Sequence, residues 1–297
     1  IGAFDHADFF LVNSKATLAD LQTVGQKLGY SPRNAAVITL DADFRKTLSE
    51  DAIWDEVGDP IDYLRTIGLE KGKYVLFVST IESRKNHITA FAVWLKLIKK
   101  HGIKNVPKLV CVGNPGWLND AAYAKLNASE FLTDHVLMLS KISDAALSVL
   151  YENCVCTLYP SSYEGWGLPV TEALCYGKVP IISNISSLPE AGGQFAEYFD
   201  GESEKDLLEA VERVVYDEKF RARRELKIIA EFRARSWASI SEQIVGQLKD
   251  WAKIPLREPA VPQAASGYGI WPVEAEMGVL HTLTSNHRST LWAGLKS

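Results

Sequence analysis

Between Tyr74 and Phe199 the sequence alternates six short apolar, β-branched runs with stretches of helical period, and this alternation restricts the fold more than any other feature. The runs are Tyr74–Ser79, Lys108–Val112, His135–Leu139, Cys154–Tyr159, Val179–Ser183 and Glu197–Phe199. Strands covered by helices on both faces read as near-continuous apolar runs. Between the first two runs, Ile88, Phe91, Ala92, Leu95 and Ile98 make a helical stripe. The pattern predicts an α/β fold built on a doubly wound parallel sheet. Ligands bind such sheets at the carboxyl ends of the strands.

One strand-to-helix junction carries an unusual set of residues, Glu164-Gly165-Trp166-Gly167-Leu168-Pro169-Val170-Thr171-Glu172. An apolar run ending in a turn precedes it and a helix-like run, Pro169 to Tyr176, follows. Glu164 therefore falls in a tight loop and Glu172 on the first helical turn. Glycines let a backbone approach a ligand closely, and a helix start offers free N–H groups and a positive dipole end suited to phosphate. A carboxylate repels phosphate but accepts hydrogen bonds from hydroxyls, and its two oxygens suit a vicinal diol. Phosphate and polyol side by side describe a nucleotide sugar. At the first strand's end, Arg84 and Lys85 supply two cations for a diphosphate. The bland readings are a solvated charge pair for Arg84 and Lys85, a solvated turn residue for Glu164 and a first-turn acid for Glu172. Gly113, at the end of another strand, either gives a ligand room or simply makes a turn. The Trp166 side chain reads as packing.

These residues resemble the retaining glycosyltransferases of family four. The two glutamates with Gly-aromatic-Gly-Leu between them are similar to that family's motif, and three further segments agree in order. Val78-Ser79-Thr80-Ile81-Glu82-Ser83-Arg84-Lys85-Asn86 resembles its phosphate-binding turn, with Ser79-Thr80 where many members carry Gly-Arg. Leu139-Ser140-Lys141-Ile142-Ser143-Asp144, with Leu150-Tyr151, resembles its base-binding loop, and Asn184-Ile185-Ser186-Ser187-Leu188-Pro189-Glu190 the loop after the next strand. The resemblance implies a Rossmann-like domain, the C-terminal half of a GT-B fold. It implies Glu172 on the ribose hydroxyls and Glu164 facing the donor sugar, not necessarily as a nucleophile. It also implies Lys141 and Ile142 on the base through their backbone, and Trp166, Gly167 and Leu168 donating backbone N–H groups. Arg84, Lys85 and Glu164 are the expected catalytic set, acting on the charge of the departing diphosphate. The donor is expected to be a nucleoside-diphosphate hexose, with no metal cofactor. The acceptor is expected to be a glycan or lipid-linked sugar, with a mannosyl- or rhamnosyltransferase flavour from polysaccharide assembly. The alternative is a non-catalytic nucleotide-sugar-binding module or an inactive fragment of a larger protein.

The resemblance also sets the expected organisation. Residues 1–50 would end an N-terminal, acceptor-side domain as a partial βαβ unit (Phe9–Val12, a helix from Lys15 to Leu28, Ala36–Leu40). Residues 51–73 would be a linker with Trp54, Tyr63 and Leu64 on its apolar side. Residues 74–235 would be the nucleotide-sugar domain, 236–254 a helix crossing back, and 255–297 a Pro-rich linker followed by either a disordered end or the first strands of a further domain. The chain starts at Ile1 and shows no signal-peptide pattern, so a piece of a longer polypeptide is expected. The acceptor-side domain leaves room for peripheral membrane association.

Bulk properties exclude several classes. Net charge is −5, from 32 basic and 37 acidic residues, which gives no field for nucleic acid. No apolar run approaches the ~20 residues needed to cross a bilayer. Cys111, Cys154, Cys156 and Cys175 read as buried reduced thiols, which fits the cytoplasm. Asp41-Ala42-Asp43 mimics a metal-binding Asp-x-Asp, but it sits near the interdomain boundary and is discounted. The six histidines lack ligand spacing and read as solvated or core residues. Asn127-Ala-Ser and Asn184-Ile-Ser are chance glycosylation patterns in a cytoplasmic chain. No Gly-x-Gly-x-x-Gly or Gly-x-Ser-x-Gly follows a strand, so a nicotinamide dehydrogenase and a serine hydrolase are unsupported.

Overall fold

The computed structural model describes residues 2–30, 34–43 and 49–254, and all their elements lie in one compact unit. The expected linker at 255–297 falls outside the described residues. Six parallel strands form the main sheet: β3 (Tyr74–Val78), β4 (Lys108–Val112), β5 (Val136–Leu139), β6 (Thr157–Tyr159), β7 (Pro180–Ser183) and β8 (Glu197–Phe199). Their order is β5-β4-β3-β6-β7-β8. Leu76 pairs with Thr157 where the order reverses, between β3 and β6. This is the doubly wound arrangement, and its switch point is where such sheets take ligands.

Side-chain alternation along β3 shows why both faces are covered. Val75 and Phe77 join one core cluster while Tyr74 and Leu76 join another. All four are fully buried. Helix α5 (His87–His101) covers the first face. Its contact stripe is His87, Ala90, Phe91, Trp94, Leu97 and Ile98, rotated from the predicted one: Ile88 is exposed, and Ala92 and Leu95 are only half-buried. The predicted stripe omitted His87, Trp94 and Leu97. Trp94 is fully buried and its indole N–H donates to the Pro107 carbonyl at 2.9 Å. Truncating it to alanine would destabilise the fold by about 3–5 kcal/mol.

The second face is covered by α8 (Asp144–Asn153) and by two helices in the segment expected as a linker, α3 (Glu50–Val57) and α4 (Pro60–Thr66). Asp59 caps α4, accepting from the Ile61 and Asp62 amides, and Pro60 starts the helix. Ile53, Val57, Ile61 and Leu64 recur at helical spacing and face the core. Trp54, expected on the apolar side, is 58% exposed instead. Helix α9 (Leu168–Cys175) follows β6, α10 (Leu188–Gly192) follows β7, and α11 (Glu204–Tyr216) and α12 (Glu218–Glu231) follow β8.

The amino-terminal unit is β1 (Phe10–Val12), α2 (Lys15–Lys27) and β2 (Ala35–Val37), with its two strands parallel. The last helix, α13 (Trp237–Trp251), returns to it. Trp251 stacks on Phe9 at 4.9 Å, and Ile240 packs with Ile38 and Ala42. Arg235 binds Asp41 through its guanidinium (Nε to Oδ1, 2.9 Å), and its backbone pairs with Asp41 and Asp43. Burial raises the Asp41 carboxyl, but Arg235 and Thr39 outweigh it and leave it below its ordinary value. Asp41 is thus occupied with holding the last helix to the first unit.

All four cysteines are buried, and none is in a disulfide among the described residues. Burial pushes the Cys154 thiol up to about 12, so it stays protonated and unreactive. Among the described residues no helix is long and apolar enough to cross a membrane.

Candidate active site at the switch point of the sheet

The loops after β3 and β6 must lie side by side, because those strands are neighbours at the reversal. The first loop makes a single 3-10 turn, Ser83–Lys85, and Asn86 then takes a left-handed conformation to start α5. The second loop carries Glu164. Three of the predicted residues meet here. Glu164 Oε1 accepts from Lys85 Nζ in a short contact, and Glu164 Oε2 lies 2.9 Å from Arg84 Nη1. Tyr159 completes the cluster: its hydroxyl accepts from Lys85 Nζ at 2.7 Å and donates to Glu164 Oε1 at 3.0 Å. Lys85 and Glu164 are both buried, whereas Arg84 stays half open to solvent.

Burial alone would raise the Glu164 carboxyl. The Lys85 ammonium, with Ser161 and Arg84, outweighs that and holds it below the usual carboxylate range. Burial pulls the Lys85 ammonium down against the opposing attraction of Glu164. The acid is therefore ionised, and both its oxygens are engaged. A carboxylate tied in this way is a weak nucleophile but a well-placed fixed negative charge. Arg84 Nε also lies 2.6 Å from Glu82 Oε1.

The backbone of Glu164 is clamped as well. Its N–H donates to Ser186 Oγ and its carbonyl accepts from Ser187 Oγ, each at 2.9 Å. A Cβ on Gly165 would lie 2.8 Å from Asn13 Nδ2 and would push the end of that side chain aside. Gly167 sits at φ +100°, which disfavours other residues, and starts α9 without a side-chain cap. Pro169 has no N–H and the Val170 N–H donates to the Gly167 carbonyl at 2.9 Å, so the Leu168 N–H is the donor left at the end where the dipole favours anions. Trp166 is buried, and its indole N–H donates to Thr171 Oγ1 at 3.0 Å, which is packing. Leu168 is on the rim, partly exposed.

Glu172 does not join the cluster. It is the fifth residue of α9, past the first turn where it was expected, and accepts from the Tyr151 hydroxyl of α8 at 2.6 Å. Tyr151 is in turn stacked on Tyr176 at 5.1 Å. Burial raises the Glu172 carboxyl; Tyr151 opposes that, and the charge of Asp144 adds to it. Asp144 opens α8 just after Lys141 and Ile142, so Glu172 belongs with the loop after β5. Lys141 is exposed at φ +56°, and Ile142 leans on the second core face. Gly113 has a steric reason of its own: a Cβ there would lie 1.8 Å from the Ser79 carbonyl oxygen. The glycine lets the β4 loop cross the β3 loop, and the room-for-ligand reading is not needed to explain it.

The loops after β5, β4, β3 and β6 follow one another along one sheet edge. Three inter-strand steps of about 4.8 Å make this row about 14 Å long. The Lys141–Asp144 loop, after β5, stands at one end and Arg84, Lys85 and Glu164 at the other; Glu172, on the helix after β6, faces Tyr151 of α8. A cavity of about 610 Å³ opens at the opposite edge, between Lys73, Lys108, His135 and Tyr216. Two of the cations lining it are engaged: Lys108 Nζ donates to the Gly68 carbonyl at 3.0 Å and Arg221 to two carbonyls at 2.8 Å.

Tyr159 and His87 escaped the sequence reading as site residues, and Ser186 and Ser187 were marked only as part of the loop after β7, with no role at Glu164. His87 is fully buried, stacks on Phe77 at 4.2 Å, and its ring nitrogens find no hydrogen-bond partner among the described residues. Burial and the nearby Lys85 hold it neutral, with a pKa lowered to about 4.

The family described as Glycosyl transferases group 1 matches residues 64–228. Serotype-specific mannosyltransferase WbdA of Escherichia coli is 35% identical over 138 residues, which are 46% of this chain and 16% of that protein. O-antigen chain mannosyltransferase B of Escherichia coli is 27% identical over 176 residues, 59% of this chain and 45% of that protein. The chain thus spans less than half the length of either relative. Among solved structures, Anabaena Alr3699/HepE in complex with UDP superposes with a TM-score of 0.64 at 17% identity, covering 84% of this chain and 65% of that one. A UDP-forming trehalose-phosphate synthase from Burkholderia xenovorans gives 0.66 at 13% identity, covering 82% and 62%. At these identities the solved structures speak to the fold, which is the GT-B type.

Proposed function

The chain belongs to the glycosyl transferases group 1 family, and on that premise we propose that it is the donor-binding part of a retaining hexosyltransferase. It takes a nucleoside-diphosphate hexose, mannose foremost, and passes the sugar to a glycan or lipid-linked acceptor in polysaccharide assembly on the cytoplasmic side. The mannosyl assignment draws on the two relatives, both mannosyltransferases. One observation carries the reading: Glu164 is held ionised between Arg84 and Lys85 at the switch point of the sheet.

The row of loops offers each part of the donor a chemically matched partner. The base lies on the backbone of Lys141 and Ile142, and the ribose hydroxyls on Glu172. The diphosphate takes the exposed side of Arg84, above the buried Lys85, and the uncapped start of α9. As the sugar leaves, charge grows on the diphosphate, and cations fixed in place stabilise that charge more than they stabilise the ground state. Glu164 stays beside the reacting sugar as a fixed anion that favours positive charge on its anomeric carbon. Arg84 turns its exposed guanidinium to the leaving group while Lys85 stays paired with Glu164 beneath it, and no step is routed through a metal ion.

Calorimetric titration with GDP-mannose, UDP-glucose and UDP tests donor binding. Binding of one sugar nucleotide, weakened at least tenfold in Arg84→Ala, is the expected result. No binding by any of them, or binding indifferent to Arg84, would refute the donor assignment. In the full polypeptide, Glu164→Ala should lose transfer while still binding donor, and NMR of the product should show the anomeric configuration retained.

A further inference from the structure

The stretch Ser186–Glu190 touches two parts of the molecule at once. At one end, Ser186 and Ser187 hold both backbone groups of Glu164, as described above. Ser186 does so from a left-handed conformation, φ +50°, that a serine rarely adopts. In the middle, Leu188 is fully buried against Gly167, where an added Cβ would come within 2.7 Å of Leu188 Cδ2. At the other end, Glu190 reaches the amino-terminal unit. Its carboxylate accepts from the backbone N–H of Lys15 (Oε2, 2.8 Å) and of Ala16 (Oε1, 2.9 Å).

That contact completes the first turn of α2. Ser14, fully buried, already accepts from the Thr17 amide at 3.0 Å. The three leading N–H groups of α2 are therefore satisfied, two of them by a side chain about 175 residues away. The carboxylate also sits where the helix dipole favours negative charge. A second set of contacts closes the circuit: the Thr17 hydroxyl, which donates to Asn13 Oδ1 at 3.0 Å, lies 3.4 Å from the Gly165 carbonyl, Asn13 packs on Gly165, and the Tyr163 hydroxyl donates to Asp20. Residues on both sides of Glu164 thus meet α2, Gly165 at the turn that Glu190 caps and Tyr163 one turn further on.

We propose that Ser186–Glu190 is a coupling bridge and that Glu190 is a positioning residue: it ties α2 to the loop bearing Glu164, so that Glu164 is set between Arg84 and Lys85 only when the β1–α2–β2 unit is docked. The catalytic consequence rests on the proposed function; the mechanical one does not. Glu190 touches neither the cluster nor the row of loops, so it acts through the backbone of Glu164.

Hydrogen exchange on the whole chain reads the coupling directly. In Glu190→Gln the charge is lost and one side-chain oxygen is replaced by a donor that faces an N–H. Exchange should rise at least fivefold in the first turn of α2, and at least threefold across residues 163–167, which Glu190 does not touch. Faster exchange in α2 alone, or in neither segment, overturns the bridge. Should Glu190→Gln fail to fold, Ser186→Ala reads from the other end, and exchange in the first turn of α2 should rise. In a transfer assay on the full polypeptide, kcat should fall at least tenfold with the donor KM within twofold. A parallel loss in donor KM would indicate collapse of the site and also overturns the bridge. If no nucleotide sugar binds at all, the proposed function fails while the exchange experiment still decides the coupling.

Discussion

His87 provides a direct test of the packing beneath the site. An unfolded histidine takes up a proton near 6.5, whereas burial and Lys85 lower the folded value to about 4. Between those values the unfolded chain binds more protons than the folded one. Stability therefore rises with pH across the window, and falls as pH drops from about 6.5 towards 4. From pH 7.5 to pH 5 this one residue should remove about 2 kcal/mol of stability, and about 3 kcal/mol once both states are protonated. His87→Phe preserves a flat ring on Phe77 and deletes the proton site. It also deletes two buried nitrogens that have no partner, so at neutral pH the variant should be as stable as the parent or more so. Urea unfolding at pH 7.5, 6 and 5 measures the effect. The parent should lose stability faster than His87→Phe, with a difference in slope that integrates to about 2 kcal/mol. The comparison cancels the other titrating groups, including His135, whose pKa burial also lowers. Parallel pH profiles for the two proteins would show that His87 is hydrated or charged in solution, and the packing argument would be wrong.

The remaining predictions concern the site itself. Lys85→Met or Glu164→Gln alone should destabilise the fold by about 3–5 kcal/mol, because each strands a buried partner; the double variant should regain most of that loss, and additive losses in chemical denaturation would refute the pairing. Gly113→Ala forces a Cβ against the Ser79 carbonyl and should destabilise by at least about 3 kcal/mol, read as a lower melting temperature, while an unchanged melt would mean the two loops do not cross as described. Tyr151→Phe removes the donor that opposes the rise at Glu172, so the Glu172 carboxyl should titrate higher by carbon NMR; a lower value would contradict the contact.

How much of this was readable beforehand follows from what each residue depends on. Strands buried on both faces must be apolar throughout, so all six runs of the sheet were visible, with ends off by one to three residues where apolar positions such as Cys154–Cys156 run outside the ladder. The α5 stripe was misread because His87 occupies a core position that polarity scales count against the core. Trp54 was misread for the opposite reason: its size suggested burial, while helical spacing from Leu64 and Ile61 back to Val57 and Ile53 shows that the apolar face lies elsewhere. In the site, residue types and order marked Arg84, Lys85 and Glu164 but not their mutual contact. They are about 79 residues apart, and only the neighbouring of β3 and β6 makes them meet. Tyr159 carries no local signature, and for Ser186 and Glu190 the sequence marked the loop but not the contacts, which depend on what the sheet order and the α2 docking bring to them.

The charge balance of the cluster limits how it can work. Glu82 and Glu164 offset Arg84 and Lys85, so the group is neutral by formal charge before any ligand arrives. A diphosphate bringing about two negative charges cannot be matched unless Arg84 turns at least part of its guanidinium from the carboxylates to the phosphate. Arg84 is the one member free to do so: it is 46% exposed, whereas the side chains of Lys85 and Glu164 are 6% and 8% exposed. The buried pair then keeps its place, because leaving either partner alone would be costly. The exposed cation is the adaptable part and the Lys85–Glu164–Tyr159 triad is the fixed part. That division suits a reaction in which charge develops on a departing group while the residues beneath it do not reorganise. It also explains why the backbone of Glu164 is held from both sides by serine hydroxyls: an acid whose charge must stay put needs its main chain fixed as firmly as its carboxylate.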